Sequence, residues 1–203
     1  DIADKNFDKK VERTKNRPIA SGKISILQAS IYSTILCGLA FLVLINFNKL
    51  TILMALISMP LAFTYPLMKR FTYWPQLFLG ITFNYGLILA WISITEEISI
   101  IPILFYLGAI FWTLGYDTIY GFQDIKDDEI IGLKSTSIKF KSNPHIFLNL
   151  CYLIFFTSII LIGILMDLNR YYFLFSIIIF IQLFYLQLKR LDVESPLNCL
   201  KTF

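Results

Sequence analysis

Six long runs of apolar residues organise the chain: Ile24 to Phe47, Leu50 to Met68, Tyr73 to Thr95, Ile98 to Phe122, Ile146 to Met166 and Tyr171 to Leu188. A helix needs about 20 mainly apolar residues to cross the hydrocarbon core of a bilayer. Each run therefore predicts one transmembrane helix, and the polar stretches between them predict the connections. Regular alternation of polar and apolar positions, the signature of a membrane barrel, is absent. The expected fold is all-α, a polytopic transmembrane helical bundle with about six spans. Pro60, Pro66, Pro75 and Pro102 fall in or near span ends, where neighbouring helices can satisfy the backbone groups that a kink frees.

Composition narrows the function classes. At 203 residues, 57% hydrophobic and 16% charged, the chain is too apolar for a water-soluble, disordered or nucleic-acid-coating protein. Three cysteines without C-x-x-C spacing and a single histidine, His145, exclude a disulfide framework and a zinc ribbon. Cys37 and Cys151 lie inside apolar runs. Glycine-rich P-loop, G-x-S-x-G and H-E-x-x-H patterns do not occur, so nucleotide hydrolysis and serine or zinc hydrolase chemistry lack their residues.

The formal net charge of +4 has a topological reading. If six spans alternate in direction, all of the 18 Lys and Arg residues except Lys49 and Arg170 fall on one face. The positive-inside rule makes that face cytoplasmic. The chain opens at Asp1 without an initiator methionine or a signal segment and stops soon after a polar stretch. It reads as part of a longer membrane protein, incomplete at both ends.

The same face carries two acidic clusters. Asp1, Asp4 and Asp8 stand at offsets 0, 3 and 7, which on a helix aligns their carboxyls. Asp117, Tyr120 and Asp124 repeat those offsets, and Asp127 and Asp128 continue that side. Asp117 is the sole acidic residue within the six runs, and an ionisable group near membrane depth is a functional candidate. Stacked carboxylates ask for compensation by nearby lysines and arginines or by a divalent cation. Magnesium, which takes a few carboxylates plus water and phosphate oxygens, fits two clusters facing a diphosphate. The plainer alternatives are a solvated loop of alternating charge at Asp1 to Asp8 and an interfacial carboxylate at Asp117.

Candidate phosphate ligands surround the clusters. Arg13 and Arg17 stand four apart in a polar connection and can grip phosphate oxygens bidentately. Lys69 and Arg70 follow Tyr65-Pro66 at the end of the second run, and Lys134 sits in Gly132-Leu133-Lys134-Ser135-Thr136. Each taken alone also suits a topological anchor. His145 reads as interfacial.

These motifs resemble those of the UbiA-type intramembrane prenyltransferases, whose two signatures read N-D-x-x-D-x-x-x-D and D-x-x-Y-x-x-x-D. Asp1, Asp4 and Asp8 match the first without its leading Asn; Asp117, Tyr120 and Asp124 match the second in full. Arg13-Thr14 to Arg17-Pro18 with Ser21-Gly22, Tyr65 to Thr72 with Pro75-Gln76, and Gly132 to Thr136 resemble the 4-hydroxybenzoate polyprenyltransferase branch. The resemblance covers essentially the whole chain. It implies a fold of roughly nine helices, of which residues 1–203 form one incomplete membrane-embedded domain, with the first motif and basic loop in 1–23 and the second motif and loop in 117–145.

The resemblance also implies an activity: magnesium-dependent transfer of a polyprenyl group from polyprenyl diphosphate to the ring of 4-hydroxybenzoate, in ubiquinone biosynthesis. Metal ligands would be Asp1, Asp4, Asp8, Asp117 and Asp124, with Tyr120 as a further catalytic residue. Arg13, Arg17, Lys69 and Lys134 would bind diphosphate. The expected location is a bacterial inner membrane with both motifs cytoplasmic, or the mitochondrial inner membrane. Alternatives are another acceptor, such as protohaem or dihydroxynaphthoate, and a non-enzymatic transporter. A transporter is disfavoured because its substrate site normally lies at the bilayer midplane.

Overall fold

The computed structural model describes residues 1–203 as helices and connections with no strand. Six helices are long and apolar enough to cross a membrane: α1 Ile26–Leu44, α2 Lys49–Phe71, α3 Pro75–Thr95, α4 Ile100–Ile131, α5 Pro144–Leu165 and α6 Arg170–Arg190. Each falls on one of the six apolar runs. The starts are set by local chemistry. Ser25 and Gln28 form a reciprocal capping box at α1, and the Asn48 side chain accepts from the Thr51 amide at 2.8 Å at α2. Proline at the first helical positions opens α3 and α5.

Four spans depart from plain α-helix in ways that hydropathy does not show. In α2 a 3₁₀ turn, Tyr65–Leu67, separates Lys49–Thr64 from Met68–Phe71. In α3 the halves Pro75–Phe83 and Gly86–Thr95 are separated by Asn84 and Tyr85. The buried Asn84 amide donates to the Gly80 carbonyl at 2.9 Å, the Ala109 carbonyl at 3.2 Å and the Thr113 hydroxyl at 2.7 Å, so the break is tied to α4. In α4 a 3₁₀ turn, Phe122–Asp124, separates Ile100–Gly121 from Ile125–Ile131. In α6 a π-helical stretch, Ile181–Gln187, follows Arg170–Phe180.

The core runs along α4 and α5, which pack together more extensively than any other pair. Leu114, Ile119 and Phe122 meet Leu148, Cys151 and Tyr152 in one buried cluster. Small residues let the helices approach, since an added Cβ at Gly108 would collide with Ser158 and one at Gly115 with the Tyr152 ring. By contrast α1 buries only Ala29 and exposes Leu27, Leu36 and Val43, a surface suited to hydrocarbon. All three cysteines are free.

Polar connections gather at one end of the bundle. The short helix Lys5–Asp8 lies there, and the Arg70 guanidinium donates to the Ala3 carbonyl at 2.6 Å. Gly132 ends α4 in the left-handed conformation, φ +79°, which glycine adopts without strain. The following strand of chain then returns to the bundle: the Lys134 amide donates to the Lys69 carbonyl at 2.9 Å, and the Thr136 amide to Gln76 Oε1 at 3.0 Å. Ser135 caps the short helix Thr136–Lys139, whose buried Ser137 hydroxyl donates to the Thr118 carbonyl at 2.8 Å.

The α4–α5 contact gives a direct stability test. Gly115→Ala should destabilise the chain by about 1–3 kcal/mol through overpacking against Tyr152. Gly38→Ala on α1 meets nothing within 4 Å and should be neutral or stabilising by up to about 1 kcal/mol. Equal unfolding midpoints for the two variants in detergent would contradict this packing.

Candidate active site

A cavity of about 350 Å³ opens at the polar end of the bundle, between the N-terminal segment, the ends of α2 and α3, and the last turns of α4. It is lined by Asp1, Asp4, Arg13, Arg17, Lys69, Asp117, Tyr120, Asp124 and Lys134. Nine of the ten candidate residues thus meet at one place. Asp8 is the exception: it lies behind the wall, buried, beside a smaller space that it shares with Arg17, Lys69, Asp124 and Asp128.

The first acidic cluster is only partly helical, because regular helix begins at Lys5. Asp4 pairs with Lys69 at 2.8 Å, and Arg70 approaches its Oδ1 at 3.5 Å. At that separation Oδ1 gains an ionic contact but no hydrogen bond, and it is buried without a hydrogen-bond partner. One nitrogen of Arg17 lies 3.2 Å from both Asp1 Oδ1 and Asp8 Oδ2. Lys69 and Arg70 also lie over the Phe7 ring, which holds them beside Asp4.

The second cluster rises along α4. Arg13 joins it to the first by a fork: Nε donates to Asp124 Oδ1 at 3.0 Å, Nη2 donates to Oδ2 at 2.5 Å, and Nη1 donates to the Tyr120 hydroxyl at 2.7 Å. The same guanidinium sits 4.9 Å from the Tyr120 ring centroid. The hydrogen bond to Asp124 raises the Arg13 pKa, so this cation stays charged at any ordinary pH. A second tie is the Glu12 amide, which donates to Asp127 Oδ2 at 3.2 Å. Lys134 donates to the Phe71 carbonyl at 3.2 Å and lies over the Tyr73 ring.

Four polar lining residues were not among the candidates: Tyr65, Gln76, Asp128 and Ser135. Asp128 was legible, since it follows Asp124 by four and shares its face. Gln76 and Ser135 lie in two of the strings that carry the family resemblance, but no spacing marks them, and their placement depends on how residues 132–136 fold back onto α3.

Asp117 and Asp128 make no ion pair, although both face the cavity. Together with the orphaned Asp4 Oδ1 they present hard oxygen donors of the kind magnesium prefers. No three carboxylates converge on a point. The donor set therefore fits a cation held by one or two carboxylates and completed by water and phosphate oxygens, and does not form a closed protein cage.

The Arg13 fork should hold the N-terminal segment against α4. Arg13→Lys keeps the charge and loses the planar bidentate geometry. Amide hydrogen exchange across residues 5–15 should then accelerate severalfold, with the core of α5 unchanged. Identical protection in the variant would show that other contacts fix the segment.

The UbiA prenyltransferase family matches residues 1–203. The chain is 39% identical over 206 residues to 4-hydroxybenzoate geranyltransferase 1 of Lithospermum erythrorhizon, a match covering all of this chain and 66% of that protein. It is 49% identical over 144 residues to the mitochondrial 4-hydroxybenzoate polyprenyltransferase of Rattus norvegicus, covering 70% of this chain and 38% of the relative. The chain thus spans two thirds or less of the length of these relatives. The apo structure of a UbiA homologue from Aeropyrum pernix K1 shares the fold, with a TM-score of 0.79 over 99% of this chain and 80% of that one at 21% identity. With the family matched from end to end and the fold shared, this chain belongs to the UbiA prenyltransferase family.

Proposed function

We propose that the chain carries the diphosphate site of a magnesium-dependent prenyltransferase that joins a polyprenyl group to the ring of 4-hydroxybenzoate, in ubiquinone biosynthesis. One observation carries this reading: the two acidic motifs, more than a hundred residues apart, share one cavity with Arg13, Arg17, Lys69 and Lys134 at the end of an apolar bundle. The names of the plant and rat relatives support the acceptor.

In the proposed reaction the bond between the allylic carbon and the diphosphate oxygen breaks, and its electron pair leaves with the diphosphate. The ring carbon ortho to the hydroxyl of 4-hydroxybenzoate forms the new C–C bond, and its proton passes to the released diphosphate. Magnesium ions, each held by one or two of Asp1, Asp4, Asp117, Asp124 and Asp128 and completed by water and phosphate oxygens, would neutralise the diphosphate and stabilise its departing charge. Arg13, Arg17 and Lys69 are placed to exchange carboxylate partners for phosphate oxygens, offering donors where charge develops. Tyr65, Pro66, Leu79 and Leu133 line the same cavity. Their apolar surfaces limit water around the allylic cation, and the Tyr65 ring can stabilise it through its face. The polyprenyl tail would extend into the bilayer.

The membrane is read as an inner membrane, bacterial or mitochondrial, with the motif end facing the cytoplasm or matrix. That orientation rests on the gathering of basic residues at the motif end. The transporter alternative is disfavoured because the unpaired carboxylates lie at this end and not at mid-depth.

A radiolabelled transfer assay with polyprenyl diphosphate and 4-hydroxybenzoate, in membranes with and without magnesium, tests the reading. Product should form only with magnesium. Asp4→Asn and Asp117→Asn should each lower turnover by about 10²–10³-fold, while Lys69→Gln should mainly raise KM for the diphosphate. Magnesium-dependent product from dihydroxynaphthoate and none from 4-hydroxybenzoate would reassign the acceptor. Undiminished turnover in both aspartate variants would overturn the site.

A further inference from the structure

A second polar cavity, of about 380 Å³, lies away from the first, where the end of α6 meets the short helix Pro196–Thr202. Gln182, Gln187, Arg190, Asn198, Lys201 and Thr202 line it, and no carboxylate does. Neither Arg190 nor Lys201 has an acidic partner within 4 Å. The first cavity balances its cations with aspartates; this one gathers two cations with neutral amide and hydroxyl groups.

The backbone is shaped to make it. Gln182 and Gln187 are five residues apart and would stand about 140° apart around an α-helix. The π-helical stretch Ile181–Gln187 puts residues five apart one turn above each other, so both amides reach the same cavity. Gln187, itself buried, donates to the Thr202 carbonyl at 2.7 Å, and Asn198 donates to the Arg190 carbonyl at 3.2 Å. Those bonds pin helix Pro196–Thr202 to α6 and bring Lys201 to the side of Arg190. The cavity also lies at the level where the exposed apolar side chains of α6, Ile178, Ile181 and Tyr185, give way to Lys189 and Arg190.

We propose that this cavity binds the phosphate headgroup of an anionic phospholipid, with the acyl chains lying along the exposed face of α6. A phosphodiester supplies the oxygen acceptors that a guanidinium, an ammonium and amide N–H groups require, and its charge answers two unpaired cations. The bound lipid would brace the joint between α6 and helix Pro196–Thr202.

Native mass spectrometry of the 203-residue chain, released from micelles with equal phosphatidylglycerol and phosphatidylcholine, tests this. Retained phosphatidylglycerol should exceed phosphatidylcholine by about tenfold. The preference should fall to about twofold or less in Arg190→Gln/Lys201→Gln and persist in the charge-matched Lys23→Gln/Lys189→Gln, whose cations lie outside the cavity. Gln182→Leu, which keeps both cations and alters an exposed position, should weaken it about threefold. Equal loss in the two double variants would overturn the site in favour of general surface charge. Displacement of phosphatidylglycerol by equimolar inorganic phosphate would overturn the lipid assignment.

Discussion

Like charges set the problem that this structure solves. Asp1, Asp4, Asp117, Asp124 and Asp128 face one cavity of about 350 Å³. Two like charges 4 Å apart repel by about 1 kcal/mol in bulk water and about 4 kcal/mol at an effective dielectric of 20. Such a cluster persists only with cations drawn into it, and two of the pairs that supply them link separate parts of the chain. Arg13 reaches Asp124 from 111 residues away, and Lys69 reaches Asp4 from the end of α2. The interactions that neutralise the cavity are therefore also those that assemble it. A diphosphate with its metal ions brings both signs of charge, and could enter by exchanging partners with little change in overall balance.

The membrane-spanning part supplies a frame for that exchange. Close packing of α4 on α5, made possible by Gly108 and Gly115, fixes the face of α4 that carries Asp117, Tyr120 and Asp124. Gln76 of α3 holds the loop after α4 by accepting the Thr136 amide, so Lys134 and Ser135 are placed by the same helices that place the aspartates. Hydrophobic burial alone does not fix these positions. Specific hydrogen bonds at the ends of the spans do.

Much of this was legible in the sequence because bilayer thickness imposes a length on apolar runs. All six runs are helices long and apolar enough to span, with ends that differ by a few residues except at α4, which continues from Phe122 to Ile131 through a 3₁₀ turn. The repeated 0, 3, 7 spacing marked residues that do meet at one cavity, apart from Asp8. That residue turns away because Arg17 bridges it to Asp1 and the Thr14 hydroxyl donates to its carbonyl. The break at Asn84 and the π-helical stretch in α6 left no trace in hydropathy, since both depend on contacts with other elements. Arg13 illustrates the remaining gap. Spacing marked it as a phosphate ligand, whereas its present partners, Asp124 and Tyr120, could be known only once the chain had folded.

The account's central claim is that cations and carboxylates of both motifs act on diphosphate and magnesium as one site. Linkage requires that magnesium tighten diphosphate binding by the same factor as diphosphate tightens magnesium binding. Equilibrium binding of a non-hydrolysable prenyl thiodiphosphate across a magnesium titration, followed by the reverse titration, measures that factor directly. Equal enhancements, lost together in Asp4→Asn and in Asp117→Asn, are the predicted result. Diphosphate affinity that does not change with magnesium, or that survives in either variant, would contradict a single composite site.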